Sequence, residues 1–535
     1  MFKKVNIPPK KILIYCAIVS LAVLIPVLFG FINAEQNEVY TLLDFPEDAQ
    51  FYSSFINQVK YDFSIPQDSP AFFYENKIFI VLLFWLMGIF SVITGISVPA
   101  TYLFIRLLIN FSFLISVWFL MKTFFENEKE QIVAFIIATI GGGFSWIFYF
   151  GGFIIPKLQG VFYGTFGNIG LSTFTYLIIP HHILNYLLFV LVYFLYLKFE
   201  KTKNKLFLFI IFILFLLIYF IDPSSGLIFY PIIFITYILK FIFSKKQKIK
   251  GCIYPLIPLI GAGIIIGSHF FISMMNPSYS GIVKAFTEFN RFTPVFWYPF
   301  VFGLILLFVI FGLTNAKLNG FKKYFLWAWL IVAFFMAVNP WKGFKYIYYL
   351  HIPFAIFATF GLIYLIKKYS FFKILSDKRY ITILLLFLSL NSFGILIQRS
   401  VDMNSEQYPS LFMHNSEKEA MDFLNTVEKG KIISSYYFAN NNMWNTPHKN
   451  FFAHWNTGQP NLPPEEAKNE VYSFYSPTKD NSWKKNFLKK NNINYVVYGP
   501  REKELGTIDS INLELENIYQ NEQLIIYSTK TDIIK

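Results

Sequence analysis

Cysteine is nearly absent from this chain, with two in 535 residues, and each of them (Cys16 and Cys252) falls in or beside an apolar run. That leaves no disulfide framework and no thiolate metal site. Charge is scarce too. Asp, Glu, Lys and Arg together make up 15% of the residues, against about 25% in ordinary soluble domains. There is no glycine-rich phosphate loop, no zincin helix, no nucleophile-elbow serine and no cysteine–histidine pair, which sets aside the chemistries those patterns carry. An Asp-x-Asp metal motif is also missing from the acidic segment 34–77, so dependence on a divalent metal stays unknown.

What fills the space is hydrocarbon. Hydrophobic residues make up 55% of the chain and aromatics 21%, including 67 phenylalanines. A soluble core has no need of so many, and the composition is that of a polytopic α-helical membrane protein. The formal charge of +14 does not point to nucleic acid, because the lysines punctuate apolar runs at 198–205, 245–250, 317–323 and 367–379. Such spacing is the positive-inside pattern of cytoplasmic loops.

The first apolar run, Ile12 to Phe31, is long enough to cross about 30 Å of hydrocarbon and follows Lys3, Lys4, Lys10 and Lys11. It lacks a small-residue cleavage site and reads as a retained helix with a cytoplasmic amino terminus. Further runs lie near 78–97, 99–121, 132–155, 181–197, 206–221, 226–243, 254–275, 297–314, 325–339, 351–366 and 380–398. The total is roughly 11 to 13 spans. Parity is open between the segment 34–77 and the Lys122–Glu130 turn: an odd number of crossings is required there, while the pattern offers two.

The expected organisation is an all-α multispanning domain over 1–398, with an acidic outer loop at 34–77, followed by a small extracytoplasmic α/β domain over 399–535. In the latter, 431–435, 495–498 and 524–527 read as strands, and 417–427 and 482–491 as amphipathic helices. Strands alternating with helices predict a largely parallel sheet.

Candidate chemistry concentrates in the acidic loop. Glu35, Glu38, Asp44, Glu47, Asp48, Asp62, Asp68 and Glu75 stand there against Lys60 and Lys77. Translocated loops are often acidic for no catalytic reason. Asp48 stands apart because helical spacing puts it on one face with Tyr52, with Phe51, Phe55 and Val59 expected at the membrane interface. Pro46 reads as the start of that helix. His181 and His182 follow Pro180 at a predicted helix start, where backbone N–H groups favour an anion. Lys342 and Lys345 sit on a stretch predicted to be outside, against the positive-inside trend; snorkelling to lipid phosphates is the plainer reading of them. Asp222 precedes a proline and reads first as a turn residue. Arg106 lies inside an apolar run and needs a partner or a route to the interface. Glu288 and Arg291 read as a solvated pair, and Trp444, His454 and Trp455 as structural aromatics before sugar-stacking ones.

Several short stretches, taken in order, resemble the GT-C superfamily of integral membrane glycosyltransferases. They are Asp48-x-x-x-Tyr52-x-Ser54-x-Ile56-x-Gln58, Phe174 to His181, Gly343 to Pro353 with His351-Ile352-Pro353, Phe452 to Thr457, and Tyr495 to Arg501. Where the pattern often brings arginines toward the His-Ile-Pro helix, this chain has Lys342 and Lys345, which are point charges rather than planar forks. The resemblance implies a polyprenyl-phosphate-linked sugar donor, an acceptor that is a glycan, lipid or protein, inversion at the anomeric carbon, and an outer-loop aspartate as general base. Mapped onto this chain the base is Asp48, with Asp44, Tyr52, His181, His182, Lys342 and Lys345 as substrate-binding residues. The competing readings are a transporter or flippase of lipid-linked saccharides, and a catalytically inert protein of envelope assembly. A flippase favours polar residues along a path through the spans, whereas here intramembrane ionisable residues are few.

Overall fold

The computed structural model describes residues 7–43, 48–61, 63, 82–161, 177–244, 250–275, 295–339, 346–453 and 464–529. Asp44, Lys342, Lys345, Glu288, Arg291, His454 and Trp455 lie outside them. Among the described residues, eight helices are long and apolar enough to cross a membrane: Lys10–Asn33, Val98–Phe124, Pro180–Thr202, Pro223–Phe243, Tyr254–Met274, Gly320–Ala337, Ile347–Lys368 and Lys378–Val401. A ninth is made if the pair Val295–Phe302 and Leu304–Asn315, bent by 101°, counts as one span. The bend falls at Gly303, whose φ of +54° is open to glycine and strained for other residues. The shorter apolar helices Leu82–Thr94 and Lys205–Ile221 fall below that length, so the described residues hold eight or nine spans against the 11 to 13 expected of the whole chain.

Two expected runs are not single long helices among the described residues. Leu82–Thr94 covers 13 residues of the first, about 20 Å of helix. The run 132–155 is broken into Glu128–Ile140 and Trp146–Gly151. Gly141, Gly142 and Gly143 interrupt it, and a Cβ on Gly143 would lie 2.1 Å from the Phe300 carbonyl oxygen. The freed backbone is satisfied nonetheless, with the Gly142 amide donating to Leu388 and the Phe144 amide to Phe300. Irregular backbone survives in an apolar setting only when buried and paired in this way. His351 completes the join, with Nε2 2.8 Å from the Gly141 carbonyl oxygen and Nδ1 3.2 Å from that of Ala138.

The chain clusters into two compact units. One comprises Met1–Ile25, Arg106–Phe270 and Phe286–Arg399. Its helices interlock through buried aromatics such as Trp118, Tyr186, Phe189, Phe229, Phe325 and Trp329. The other comprises Pro26–Ile105, Phe271–Ala285 and Ser400–Lys535. Within it, β1 (Glu38–Tyr40) pairs antiparallel with β2 (Phe412–His414), so the start of the acidic loop is stitched to the C-terminal region.

The polar C-terminal region is an α/β fold with a five-stranded sheet. The strands are β3 (Lys431–Ile433), β4 (Lys449–Asn450), β5 (Tyr495–Tyr498), β6 (Glu516–Gln520) and β7 (Ile525–Ser528), in the order β4-β3-β5-β7-β6. The expected strands and the helices Asn415–Leu424 and Asn481–Lys490 are present, within a few residues of the expected bounds. The sheet is mixed rather than largely parallel: β3 runs parallel to β4 and β5, while β7 is antiparallel to both β5 and β6. The reason lies in the last connection. Only four residues join β6 to β7, which allows a hairpin and forbids a crossover.

Candidate active site

Asp48 opens the helix Asp48–Tyr61 and lies in its first turn, where a carboxylate suits the helix dipole. It is half-buried. Asp48, Tyr52, Phe55 and Val59 form one stripe at helical spacing. Tyr52 stacks on Phe84 of Leu82–Thr94, ring centroids 4.5 Å apart and nearly parallel. Val59 lies where Gly88 leaves room, and Phe55 and Val59 are buried. Phe55 and Val59 therefore face protein rather than the expected membrane interface. The short helix Leu82–Thr94 packs here through Phe84 on Tyr52 and through Gly88 at Val59.

The opposite stripe of the same helix carries Gln50, Asn57 and Tyr61. Gln50 Nε2 donates to Asn441 Oδ1 at 2.7 Å and to the Ser410 carbonyl. Asn57 Nδ2 donates to the Thr446 carbonyl at 3.2 Å, and the Tyr61 hydroxyl to Asn425 Oδ1 at 2.9 Å. Gln50, Asn57 and Asn441 are all buried. The run Asn440-Asn441-Asn442 was the only visible sign of this polar seam, and sequence reasoning passed over it.

The histidine pair belongs to the other unit. Pro180 occupies the first position of Pro180–Thr202, where its missing N–H costs nothing. The backbone just before it is held from Val98–Phe124: Asn110 Nδ2 donates to the Leu177 carbonyl at 2.7 Å and Arg106 to that of Ile178 at 3.4 Å. Arg106, fully buried, thus finds a partner at a helix start rather than snorkelling. The His181 and His182 rings lie 4.3 Å apart.

His182 Nδ1 is 2.9 Å from Asp222 Oδ2, with both side chains nearly buried. Asp222 alone separates the helices Lys205–Ile221 and Pro223–Phe243, and its Oδ1 caps the second by accepting from the Ser224 amide at 3.0 Å. The turn reading of Asp222 is incomplete, because the residue is also a helix cap. Its Oδ2 also accepts from Ser225 Oγ at 2.6 Å, and Ser225 Oγ lies 2.9 Å from the Tyr349 hydroxyl. Asn185 Nδ2 serves the carbonyls of Ile218 and Asp222. A connected polar chain, Tyr349–Ser225–Asp222–His182, thus sits where two helices begin. The signal in the sequence was Asp-Pro-Ser-Ser, a capping pattern whose distant partner no local spacing names. Such a chain orients an imidazole and can present it to an anion.

The remaining candidates resolve as follows. Trp444 is buried, which favours the structural reading. Cys16 is a buried free thiol. No group of three or more His, Cys, Asp or Glu that could hold a metal ion occurs among the described residues.

The fold so described is that of a polytopic helical membrane protein with an α/β C-terminal region. The chain is similar to the crystal structure of ArnT from Cupriavidus metallidurans bound to undecaprenyl phosphate, over 96% of this chain and 98% of that one, with a TM-score of 0.52 and 9% sequence identity. The expected architecture, a multispanning helical region followed by a small α/β region, is therefore one that this chain shares with a solved structure. No family model matches the sequence, and no curated protein matches it.

Proposed function

We propose that this protein is a membrane glycosyltransferase that moves a sugar from a polyprenyl-phosphate-linked donor to an acceptor at the outer face of the membrane, with inversion. The observation that carries the reading is the full-length likeness to a structure bound to undecaprenyl phosphate, joined to a half-buried carboxylate at the start of a packed helix. An acceptor hydroxyl oxygen attacks the anomeric carbon, the bond from that carbon to the phosphate oxygen breaks, and the electron pair leaves with the phosphate. Asp48 takes the hydroxyl proton. Developing charge on the leaving phosphate calls for donors and cations. We assign that role to His181 and His182, with His182 oriented by Asp222, and to Lys342 and Lys345. Asp44 and Tyr52 complete the substrate-binding set. The amino terminus is cytoplasmic and 399–535 extracytoplasmic in this reading.

Asp48→Asn tests it, because the amide keeps the size and loses the basic lone pair. Transfer from radiolabelled undecaprenyl-phosphate hexoses into membranes carrying the variant should fall by at least about a hundredfold, with undecaprenyl phosphate still bound. Full activity in the variant would remove Asp48 from the mechanism. Equal losses in Asp44→Asn and Asp48→Asn would point instead to a shared carboxylate site.

A further inference from the structure

We propose that Gln50 and Asn441 are positioning residues for Asp48, which makes the C-terminal α/β region part of the catalytic apparatus. The proposal rests on the reading of Asp48 as the base. The Asp48–Tyr61 helix is clamped on two opposed faces. One packs through Tyr52 and Val59 against Leu82–Thr94. Apolar contacts of that kind are non-directional, and by themselves they leave a helix some freedom to roll and slide.

The other face removes that freedom. Gln50 uses both Nε2 hydrogens, one on Asn441 Oδ1 at 2.7 Å and one on the Ser410 carbonyl, in a fully buried setting. Asn441 belongs to the helix Tyr436–Asn445, and Ser410 to the short turn Pro409–Leu411 just before β2. A buried donor–acceptor pair is directional, and breaking it costs the desolvation of the group left behind. It therefore specifies the rotation and register of the helix. Gln50 stands two residues from Asp48, about 3 Å along the axis. Among the described residues of this seam, further polar contacts lie at Asn57 and Tyr61, two turns or more away. Gln50 is thus the polar contact of this seam that governs the end of the helix bearing the carboxylate. A displacement of about 1 Å at a reacting group can cost about a hundredfold in rate, whereas donor binding by groups elsewhere is untouched.

The experiment uses the full-length chain in membranes, with transfer from radiolabelled undecaprenyl-phosphate hexoses followed as kcat and donor KM. Gln50→Met keeps the shape and deletes the donor. Asn441→Leu deletes the acceptor, and Asn441→Asp keeps it. We expect Gln50→Met and Asn441→Leu to lose kcat about tenfold or more with KM little changed, and Asn441→Asp, which keeps the acceptor but buries a carboxyl, to retain more kcat than Asn441→Leu. Asn57→Leu, which loses a similar bond two turns on, should lower thermal stability comparably and spare kcat. In an Asp48→Asn background, Gln50→Met should cost nothing further, as expected of residues acting through one group. Unchanged kcat in Gln50→Met beside an inactive Asp48→Asn overturns the proposal. So does an equal loss in both backgrounds, which marks Gln50 as a fold residue only. Should Gln50→Met fail to accumulate, the contrast between Asn441→Asp and Asn441→Leu decides, and equal losses there overturn it. A fully active Asp48→Asn is a different failure: it removes the base itself, and positioning of that base falls with it.

Discussion

Asp222 is the residue whose replacement the structure prices most clearly. Its carboxylate accepts from the Ser224 amide, Ser224 Oγ, Ser225 Oγ and His182 Nδ1, at 2.6 to 3.0 Å. Asp222→Ala removes a helix cap, worth about 0.5–2 kcal/mol, and strands a nearly buried imidazole; breaking a buried pair costs about 3–5 kcal/mol. These contributions overlap in one network and do not add in full, so we expect a total near 3–5 kcal/mol. Asp222→Asn keeps Oδ1 as the cap acceptor and loses the charge opposite His182. Its cost should approach that of one charge-assisted hydrogen bond, about 1.5–3 kcal/mol. The assay is unfolding of the purified protein from lipid–detergent micelles by SDS, followed by tryptophan fluorescence and circular dichroism. Wild type, Asn and Ala should unfold in that order of decreasing resistance. A wild-type transition in Asp222→Ala would refute the claim that this carboxylate holds the two helix starts together. An Asn variant as damaged as Ala would refute the separation of cap from charge.

Two further predictions concern topology and pH. A cysteine at the exposed Glu522 should react with an impermeant thiol reagent in intact cells, while one at the exposed Lys201 should react only after permeabilisation; the reverse pattern would put Asp48 on the wrong face. Lys431 of β3 donates to the Asn491 carbonyl at 2.8 Å, and burial first, then repulsion from Lys449, pushes its ammonium down to about 8. The folded state therefore releases this proton more readily than the unfolded chain, so Lys431 opposes folding fully below about pH 8 and less as pH rises toward its ordinary value near 10.5. Hydrogen-exchange protection at β3 and β5, relative to the intrinsic rate at each pH, should rise across that window in wild type beyond the trend in Lys431→Met; parallel profiles would dismiss the effect.

Much of the architecture was legible because it follows from solvent preference and local spacing. A chain whose apolar runs match the bilayer must form helices, since lipid satisfies no backbone group. The amphipathic periods in the C-terminal region likewise announce their helices and strands. Asp48 and Tyr52 fall on one helical stripe by arithmetic alone. The departures have a common cause. The break within 132–155 depends on the Phe300 and Leu388 carbonyls, which accept the backbone that the glycines free. The hairpin of β6 and β7 follows from its short connection, but the place of β7 beside β5 rests on a pairing that no local pattern encodes.

The partners of the polar residues divide the same way. The sequence by itself determined that Asp222 would stand in a turn before a proline, that Pro180 would start a helix, and that Arg106 needed a partner or a route to the interface, because these are demands of a residue on its own neighbourhood. Only the tertiary structure decided that Asp222 meets His182, forty positions away, and that Gln50 meets Asn441 across 391 positions. A buried hydrogen bond is satisfied by whichever complementary group the packing delivers, and that delivery is a property of the assembled helices, not of either segment alone.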